Sequence, residues 1–442
     1  MAGSTAVVIG SSMAGLLAAR VLADHFNSVT IVERDTLPPG PDARKGVPQG
    51  RHAHGLLTRG REVLDDLFPG FTDEMMASGA VVGDVTLGVT WVMDGQRHLR
   101  APSGLLGYAV TRPLLEAHVR ARTLALPNVC VVENCSTEGF RWSEDRTRVT
   151  GIETFRDGLS GAMAADLIVD ASGRGSQTPA WIAQMGYERP PEELVHVGIT
   201  YSTRVFRRTK AMDRVPGAMI GPTAASPRGG FMIRVEDMQW IVTLCGYGED
   251  RPPASSVEWV EFARTLACRD IYDTISACEP LTEPVTFHYP ASQRRRYEAL
   301  QRFPQGLLPF GDAIASFNPV YAQGMSVAAI QAIALRSALQ EGAGDGLAQR
   351  YFREASRAVD APWDIAVGSD LRLPQVAGKR SGRVRVVNWY VGQVHRAATQ
   401  DPAVLGAFHR VINLKARPGS LMSPGVAARV VRARLQSRRP SA

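Results

Sequence analysis

Six residues near the start of the chain, Gly10-Ser11-Ser12-Met13-Ala14-Gly15, have the types and spacing of a turn that cradles a phosphate. Gly10 permits a tight exit from a strand, and Gly15 lets the following helix lie close to its sheet. Ser12 stands where a middle glycine is usual; it is small enough for the backbone to approach a pyrophosphate, and its hydroxyl can donate to a phosphate oxygen. Met13 and Ala14 open the helix, whose positive N-terminus favours the anion. Glu33, eighteen residues after Gly15 and followed by Arg34, can accept hydrogen bonds from a ribose. The same carboxylate repels a 2′-phosphate, so the site suits FAD or NAD rather than NADP. The motif alone does not choose between those two, and its bland alternative is a strand–helix turn with no ligand.

Other chemistry-bearing residues are scattered. The Gly/Pro-rich stretch from Pro39 to Leu57 carries Arg44, Lys45, Arg51, His52 and His54, and its basic side chains would lie near a pyrophosphate entrance. His52 and His54 could ligate a metal from a strand, but no third ligand clusters with them, so no metal is expected. Arg112 sits at a strand-to-helix junction, where a buried guanidinium needs an anionic partner; a cofactor contact and a helix-face charge are both open. Arg174, in "VDASGRGS", belongs either to a second phosphate-type turn or to a simple exit from a sheet. Far downstream, "GDAIASFNPVYAQGMS" (Gly311 to Ser326) places Asp312 and a polar turn just before a helical stretch. No acid–base pair or nucleophile triad is recognisable.

The elements that position these residues are readable. Thr5 to Ile9 is a short buried apolar run, Met13 to Phe26 has small and apolar residues at helical spacing, and "VTIV" ends at Glu33, which makes a βαβ unit. A helix starts at Pro113, a residue suited to a first turn. From about Val197 to Tyr289 the pattern changes to strand runs, with a hairpin turn at Glu236 to Met238 and a helix capped by Ser255 or Ser256. A β-rich middle inserted into an α/β frame suggests a substrate sheet over a nucleotide site.

Bulk properties exclude several classes. At 442 residues, with 45% apolar and 21% charged residues, the chain is an ordinary globular protein of one large or two intimate domains. The net charge is +7, but the last sixteen residues hold five arginines and no acid, which leaves the body nearly neutral. Basic charge is not spread over a folded face, so nucleic acid is not an expected partner. The arginine-rich tail, Ala427 to Ala442, is read as a frayed, solvated terminus in preference to a membrane-surface contact. Five cysteines without a Cys-x-x-Cys read as reduced thiols, the N-terminus lacks a basic n-region, and no apolar run reaches membrane-spanning length; a cytoplasmic protein is expected.

The order of these pieces resembles the flavin monooxygenases of the p-hydroxybenzoate hydroxylase fold. Within them, "DARKGVPQGRHAH", "DASGRGS" and "GDAIASFNPVYAQGMS" look like the flavin epoxidases that act on polyketide polyenes in polyether biosynthesis. The resemblance covers roughly Ala6 to Leu339. It implies an FAD-binding Rossmann-like domain over residues 1–190, with substrate-domain strands interleaved around 80–110. A β-rich substrate domain over 191–295, a return to the flavin end over 296–345, and a helical C-terminal region with a basic tail over 346–442 would follow. Asp312 would bind the ribityl chain. Pro319, Gln323, Gly324 and Met325 would pass beside the isoalloxazine, with a helix N-terminus favouring the reduced anion. Phe231, Trp240 and Phe317 are the candidate pocket residues, their alternative being ordinary core aromatics.

The implied activity is insertion of one oxygen atom from O₂, through a flavin C4a-hydroperoxide, into a lipophilic natural product, with alkene epoxidation first. The alternatives are hydroxylation of an aromatic substrate and an FAD-dependent reductase or dehydrogenase acting on an isoprenoid-type lipid. A halogenase would carry a Trp-x-Trp-x-Ile-Pro stretch that this sequence lacks. A non-enzymatic FAD-binding sensor is the remaining class. The family's Asp-Gly motif appears as Asp170-Ala171-Ser172-Gly173. NAD(P)H as transient reductant and a separate flavin reductase are therefore both carried forward.

Overall fold

A computed structural model describes residues 3–436. The last part of the basic tail, Ser437 to Ala442, lies outside the described residues. The fold is mixed α/β, with a parallel sheet, a large β-rich sheet and a set of C-terminal helices.

Five strands form the parallel sheet in the order Leu307–Pro309, Leu167–Asp170, Gly3–Ile9, Phe26–Val32 and Val129–Val132. The runs are mostly apolar toward their carboxyl ends, where helices and a small three-stranded sheet cover both faces, and carry Ser4, Thr5, Asn27 and Ser28 near their starts. Their register aligns Ile9 with Asp170 and Val32, Asp170 with Pro309, and Val32 with Val132. All five carboxyl ends therefore finish on one edge, which is where ligands bind in open α/β sheets. The first helix runs from Met13 to Leu22, four residues shorter than the spacing suggests, because Phe26 already begins the next strand.

The turn between strand and helix is tight on both sides. Gly10 has φ +95°, and a Cβ there would sit 2.8 Å from the Ala171 carbonyl oxygen. A Cβ on Gly15 would sit 1.8 Å from the Gly10 carbonyl oxygen, so only glycine lets this turn close.

The long helix Gly324–Gln340 packs on Met13–Leu22 and on helices Thr58–Leu67 and Leu347–Asp370, making the largest apolar core. A second sheet of eight strands is built around the sixteen-residue strand Glu192–Arg207. The expected hairpin is present: strands Arg228–Val235 and Gln239–Tyr247 are joined through Asp237 and Met238, both with positive φ. Ser255 is the N-cap of the helix Ser256–Arg264. Strand Val89–Met93 joins this sheet beside Gly217–Ile220.

Alternation in that sheet decides one expected pocket residue. Trp240, Val242 and Leu244 face helices Ser256–Arg264 and Asp270–Ile275 in a core with Trp259 and Phe262. Phe231, Ile233 and Ile241 point to the opposite face. Trp240 is fully buried and is a core residue rather than a pocket residue. Period-two geometry puts neighbours on opposite faces, and the sequence does not say which face is which. The chain ends in helices Gly382–Ala397, Pro402–Ile412 and Pro424–Gln436. Among the described residues no helix is long and apolar enough to cross a membrane.

Candidate active site

A cavity of about 610 Å³ runs along the carboxyl edge of the parallel sheet. One end is the Gly10–Ala14 turn. The other is formed by Asp312, Phe317–Pro319 and the start of helix Gly324–Gln340. Residues three hundred positions apart thus share one trough.

At the turn end, the Glu33 carboxylate accepts from the Ser11 amide (2.9 Å) and hydroxyl (2.7 Å), and from the Asp35 amide (3.0 Å). The Arg44 guanidinium lies 2.9 Å from Glu33 and 3.0 Å from Glu116. Burial works against the Glu33 charge, but Arg44 and these hydrogen bonds outweigh it and hold the carboxyl below the usual range. Burial likewise opposes the Arg44 charge, while Glu116 and Glu33 more than offset it and raise its pKa. Arg112 donates to Glu116 (2.9 Å) and to the Ser12 hydroxyl (2.9 Å). The anion that Arg112 requires is therefore Glu116, one helical turn along, and Arg112 itself lines the cavity beside Ser12. Glu33, Arg44, Glu116 and Arg112 alternate in sign, so each buried charge has an opposite neighbour.

At the far end, Asp312 is recessed but solvent-exposed, its side chain opening onto the cavity. Its pKa is pushed up to about 6 by burial, with Arg112 and Arg174 drawing it back. Gly324 begins a seventeen-residue helix, whose first-turn amides have no intrahelical acceptor. A Cβ on Gly324 would meet nothing nearer than Asp312 Oδ1 at 3.9 Å, so the protein itself does not demand glycine there. Gln323 Oε1 is buried and has no hydrogen-bond partner in the protein. The loop before the helix is fastened from below: Asp370 accepts from Asn318 Nδ2 (2.8 Å), the Tyr321 hydroxyl (2.8 Å) and the Tyr247 hydroxyl (3.4 Å).

A second, smaller cavity of about 230 Å³ adjoins the first. The two share Ala53, Gly55, Tyr201, Pro319, Ala322 and Gln323 in their walls. Its lining is largely apolar, with Trp91, Met93, Met219, Phe231 and Ile233 among the side chains. Two charged residues reach it. Asp84 is engaged by the Thr86, Ser103 and Gly104 amides and two hydroxyls, and Arg234 donates to the Asp213 carbonyl (2.9 Å).

Sequence expectations map onto this geometry unevenly. Ser12, Met13, Ala14, Glu33, Arg34, Arg44, Arg112, Asp312, Pro319, Gln323, Gly324 and Met325 all line the large cavity, Arg34 from an exposed position. Gly15 is behind the turn, where it permits packing. Lys45 is exposed and outside both linings, because Arg44 alone turns inward to the carboxylates. Phe231 lines the apolar cavity, whereas Phe317 lines the large one and packs edge-on against Trp363. His52 and His54 line the large cavity as neutral rings, their pKa values pushed down by burial to about 4 and about 3. Among the described residues no cluster could hold a metal. Asp170 accepts from the Ser172 amide (3.0 Å) and from the Ser172, Ser176 and Thr178 hydroxyls; it organises the turn that puts Gly173 and Arg174 on the cavity wall. Trp91, Tyr201, Tyr321 and Asp370 were not singled out. Trp91 and Tyr201 follow ordinary strand alternation, and Asp370 ends a helix with no local motif around it.

Residues 4–365 match the FAD binding domain family model. The chain belongs to that family. Protein Rv3254 of Mycobacterium tuberculosis (strain ATCC 25618 / H37Rv) is 39% identical over 347 residues, covering 76% of this chain and 73% of the relative. Among solved structures, the flavin-dependent brominase Bmp2 superposes with a TM-score of 0.70 at 14% identity, over 99% of each chain. PqsL of Pseudomonas aeruginosa, described as a probable FAD-dependent monooxygenase, gives 0.62 at 16% identity over 84% of this chain and 97% of its own. The flavin-dependent halogenase CmlS gives 0.64 at 17% identity over 99% and 77%. The fold is that of the p-hydroxybenzoate hydroxylase-like flavoproteins, and the chain carries the FAD binding domain of that family.

Proposed function

We propose that this flavoenzyme inserts one oxygen atom from O₂ into a neutral, lipophilic small molecule, with an alkene as the preferred target and an epoxide as the product. The observation that carries the reading is the apolar cavity meeting the flavin end of the trough at Pro319, Ala322 and Gln323. Its one acid, Asp84, is already engaged by protein donors and offers a cationic substrate no free carboxylate, while Arg234, which donates to the Asp213 carbonyl, is the one cation in an otherwise largely apolar lining.

The residues fit FAD. The turn amides and Ser12 would hold the pyrophosphate, Glu33 the adenosine ribose, and Asp312 the ribityl chain. The unpartnered Gln323 Oε1 and the open space above Gly324 suit a ring with its own donors and close edges. Bound there, FAD would supply the oxygen-activating chemistry. The chain's own part is positioning and exclusion of water: the walls around Trp91, Met219 and Phe231 keep the reacting carbon in a dry pocket. Alkene epoxidation needs no protein nucleophile, and the one thiol in the cavity wall, Cys245, is kept protonated by burial, which pushes its pKa up to about 12.

Electrons would come from NAD(P)H directly or through a separate flavin reductase. The cysteines are unpaired, which suits the cytoplasm. The halogenases among the structural neighbours do not change the reading, since the Trp-x-Trp-x-Ile-Pro stretch is missing from the sequence. Oxygen uptake by the FAD-loaded, reduced protein tests it. The reading expects uptake to be matched one-for-one by an oxygenated lipophilic alkene. Uptake matched only by peroxide release across a panel of alkenes and phenols would move the assignment to a reductase or dehydrogenase.

A further inference from the structure

The charge distribution is more lopsided than the tail alone indicates. After Asp370 the sequence holds fourteen lysines and arginines against one acid, Asp401. The excess positive charge of the whole chain therefore lies in its last helices, and the preceding 370 residues carry more acid than base. Asp401 is already paired with Arg429 at 3.1 Å.

The same region exposes large apolar side chains on adjoining helices. Val386 and Trp389, one turn apart on Gly382–Ala397, are 63% and 53% exposed. Val431 and Leu435, one turn apart on Pro424–Gln436, are 57% and 61% exposed. The two helices pack together, and the Arg434 guanidinium lies 5.3 Å from the centre of the Trp389 ring, which joins the two apolar stripes into one face. Met422 extends it at the turn held by the Tyr390 hydroxyl on the Leu421 carbonyl. Exposed Arg383, Arg385 and Arg432 flank the face. A helix face with aliphatic and Trp side chains bordered by arginines is the composition of a surface that settles at the headgroup level of a bilayer.

We propose that this face docks the enzyme on an anionic lipid bilayer. A second copy of the chain is a poor occupant, because a self-complementary contact would press the same cations against one another. Nucleic acid would use the arginines but leave the five apolar side chains in water. Lipid of negative charge satisfies both features, and the surface potential attracts each arginine over about a Debye length. The inference is independent of the reaction: it concerns where the enzyme sits, and it holds whichever lipophilic compound the cavity accepts.

The test is co-sedimentation of the full-length, FAD-loaded protein with vesicles of phosphatidylcholine, with and without phosphatidylglycerol, at low and high salt. The expected result is binding to the phosphatidylglycerol vesicles, weakened about tenfold or more by high salt and by Trp389→Asp with Leu435→Asp. Arg383→Gln with Arg385→Gln, which leaves the apolar face intact, should weaken binding and flatten the salt dependence. Flavin content and melting temperature check that each variant is folded. No binding to the anionic vesicles, or binding indifferent to both sets of substitutions, overturns the proposal. So does a concentration-dependent dimer that Trp389→Asp abolishes, which would assign the face to self-association.

Discussion

Asp370 accepts a 2.8 Å hydrogen bond from the Tyr321 hydroxyl, and that contact ties the end of a 24-residue helix to the loop between the two cavities. The carboxylate is fully buried at the negative end of the helix, and its Oδ2 has no partner. Burial pushes its pKa up to about 7, although Tyr321, Asn318 and Tyr247 pull it down. A carboxyl whose folded pKa exceeds its unfolded value of about 4 stabilises the fold fully below pH 4, and that contribution is lost as pH rises through 7. In Asp370→Asn this loss has no titrating group. The difference in melting temperature between wild type and variant should therefore change between about pH 4 and 7 and level off above it. A difference independent of pH would show that Asp370 does not titrate in this window.

Gly15 and Gly324 should respond oppositely to the same substitution. Gly15→Ala drives a Cβ into the Gly10 carbonyl and should cost both stability and FAD binding. Gly324→Ala meets no protein atom within 3.9 Å and gains helix propensity of up to about 1 kcal/mol, so the apoprotein should melt no lower. Its FAD affinity should fall, because the added methyl points into the trough. Thermal melts of the apoproteins and flavin titrations separate the two.

Arg44 sits between two buried carboxylates, so Arg44→Met leaves Glu33 and Glu116 short of a counter-charge. Breaking a buried pair typically costs about 3–5 kcal/mol, and Arg112 on Glu116 places this case toward the lower end. Arg44→Lys should recover only part of that, since an ammonium cannot fork between both carboxylates. Urea unfolding of the three proteins gives the order.

Trp240 and Phe231 separate core from pocket. Trp240→Ala empties a fully buried site and should cost about 3–5 kcal/mol while leaving substrate preference unchanged. Phe231→Ala should cost less and widen the range of alkenes oxidised. Unfolding midpoints and product profiles on a mixed substrate panel distinguish them.

The contrast between these residues shows what a sequence can carry. The Gly10–Gly15 turn was legible because a single local stretch fixes its geometry: Gly10, Gly15 and Glu33 have the spacing of a βαβ unit. Asp312 and Gly324 became meaningful once that unit was in hand, since the trough needs a second end. Trp240 misled because alternation names two faces without saying which is covered by helices. The partner of Arg112 was missed although Glu116 is only one turn away, because burial of the pair depends on Arg44 arriving from another loop. Asp370 carried no signal at all; its role is created by three groups brought together from distant parts of the chain.

The most direct measurement is the fate of isotopically labelled O₂ in a single turnover. The FAD-loaded protein is reduced anaerobically, mixed with labelled oxygen and a lipophilic alkene, and the product is analysed by mass spectrometry. The proposed activity requires one labelled atom in the organic product and the other in water. An unlabelled product, or label found only in peroxide and water with every substrate offered, would contradict it.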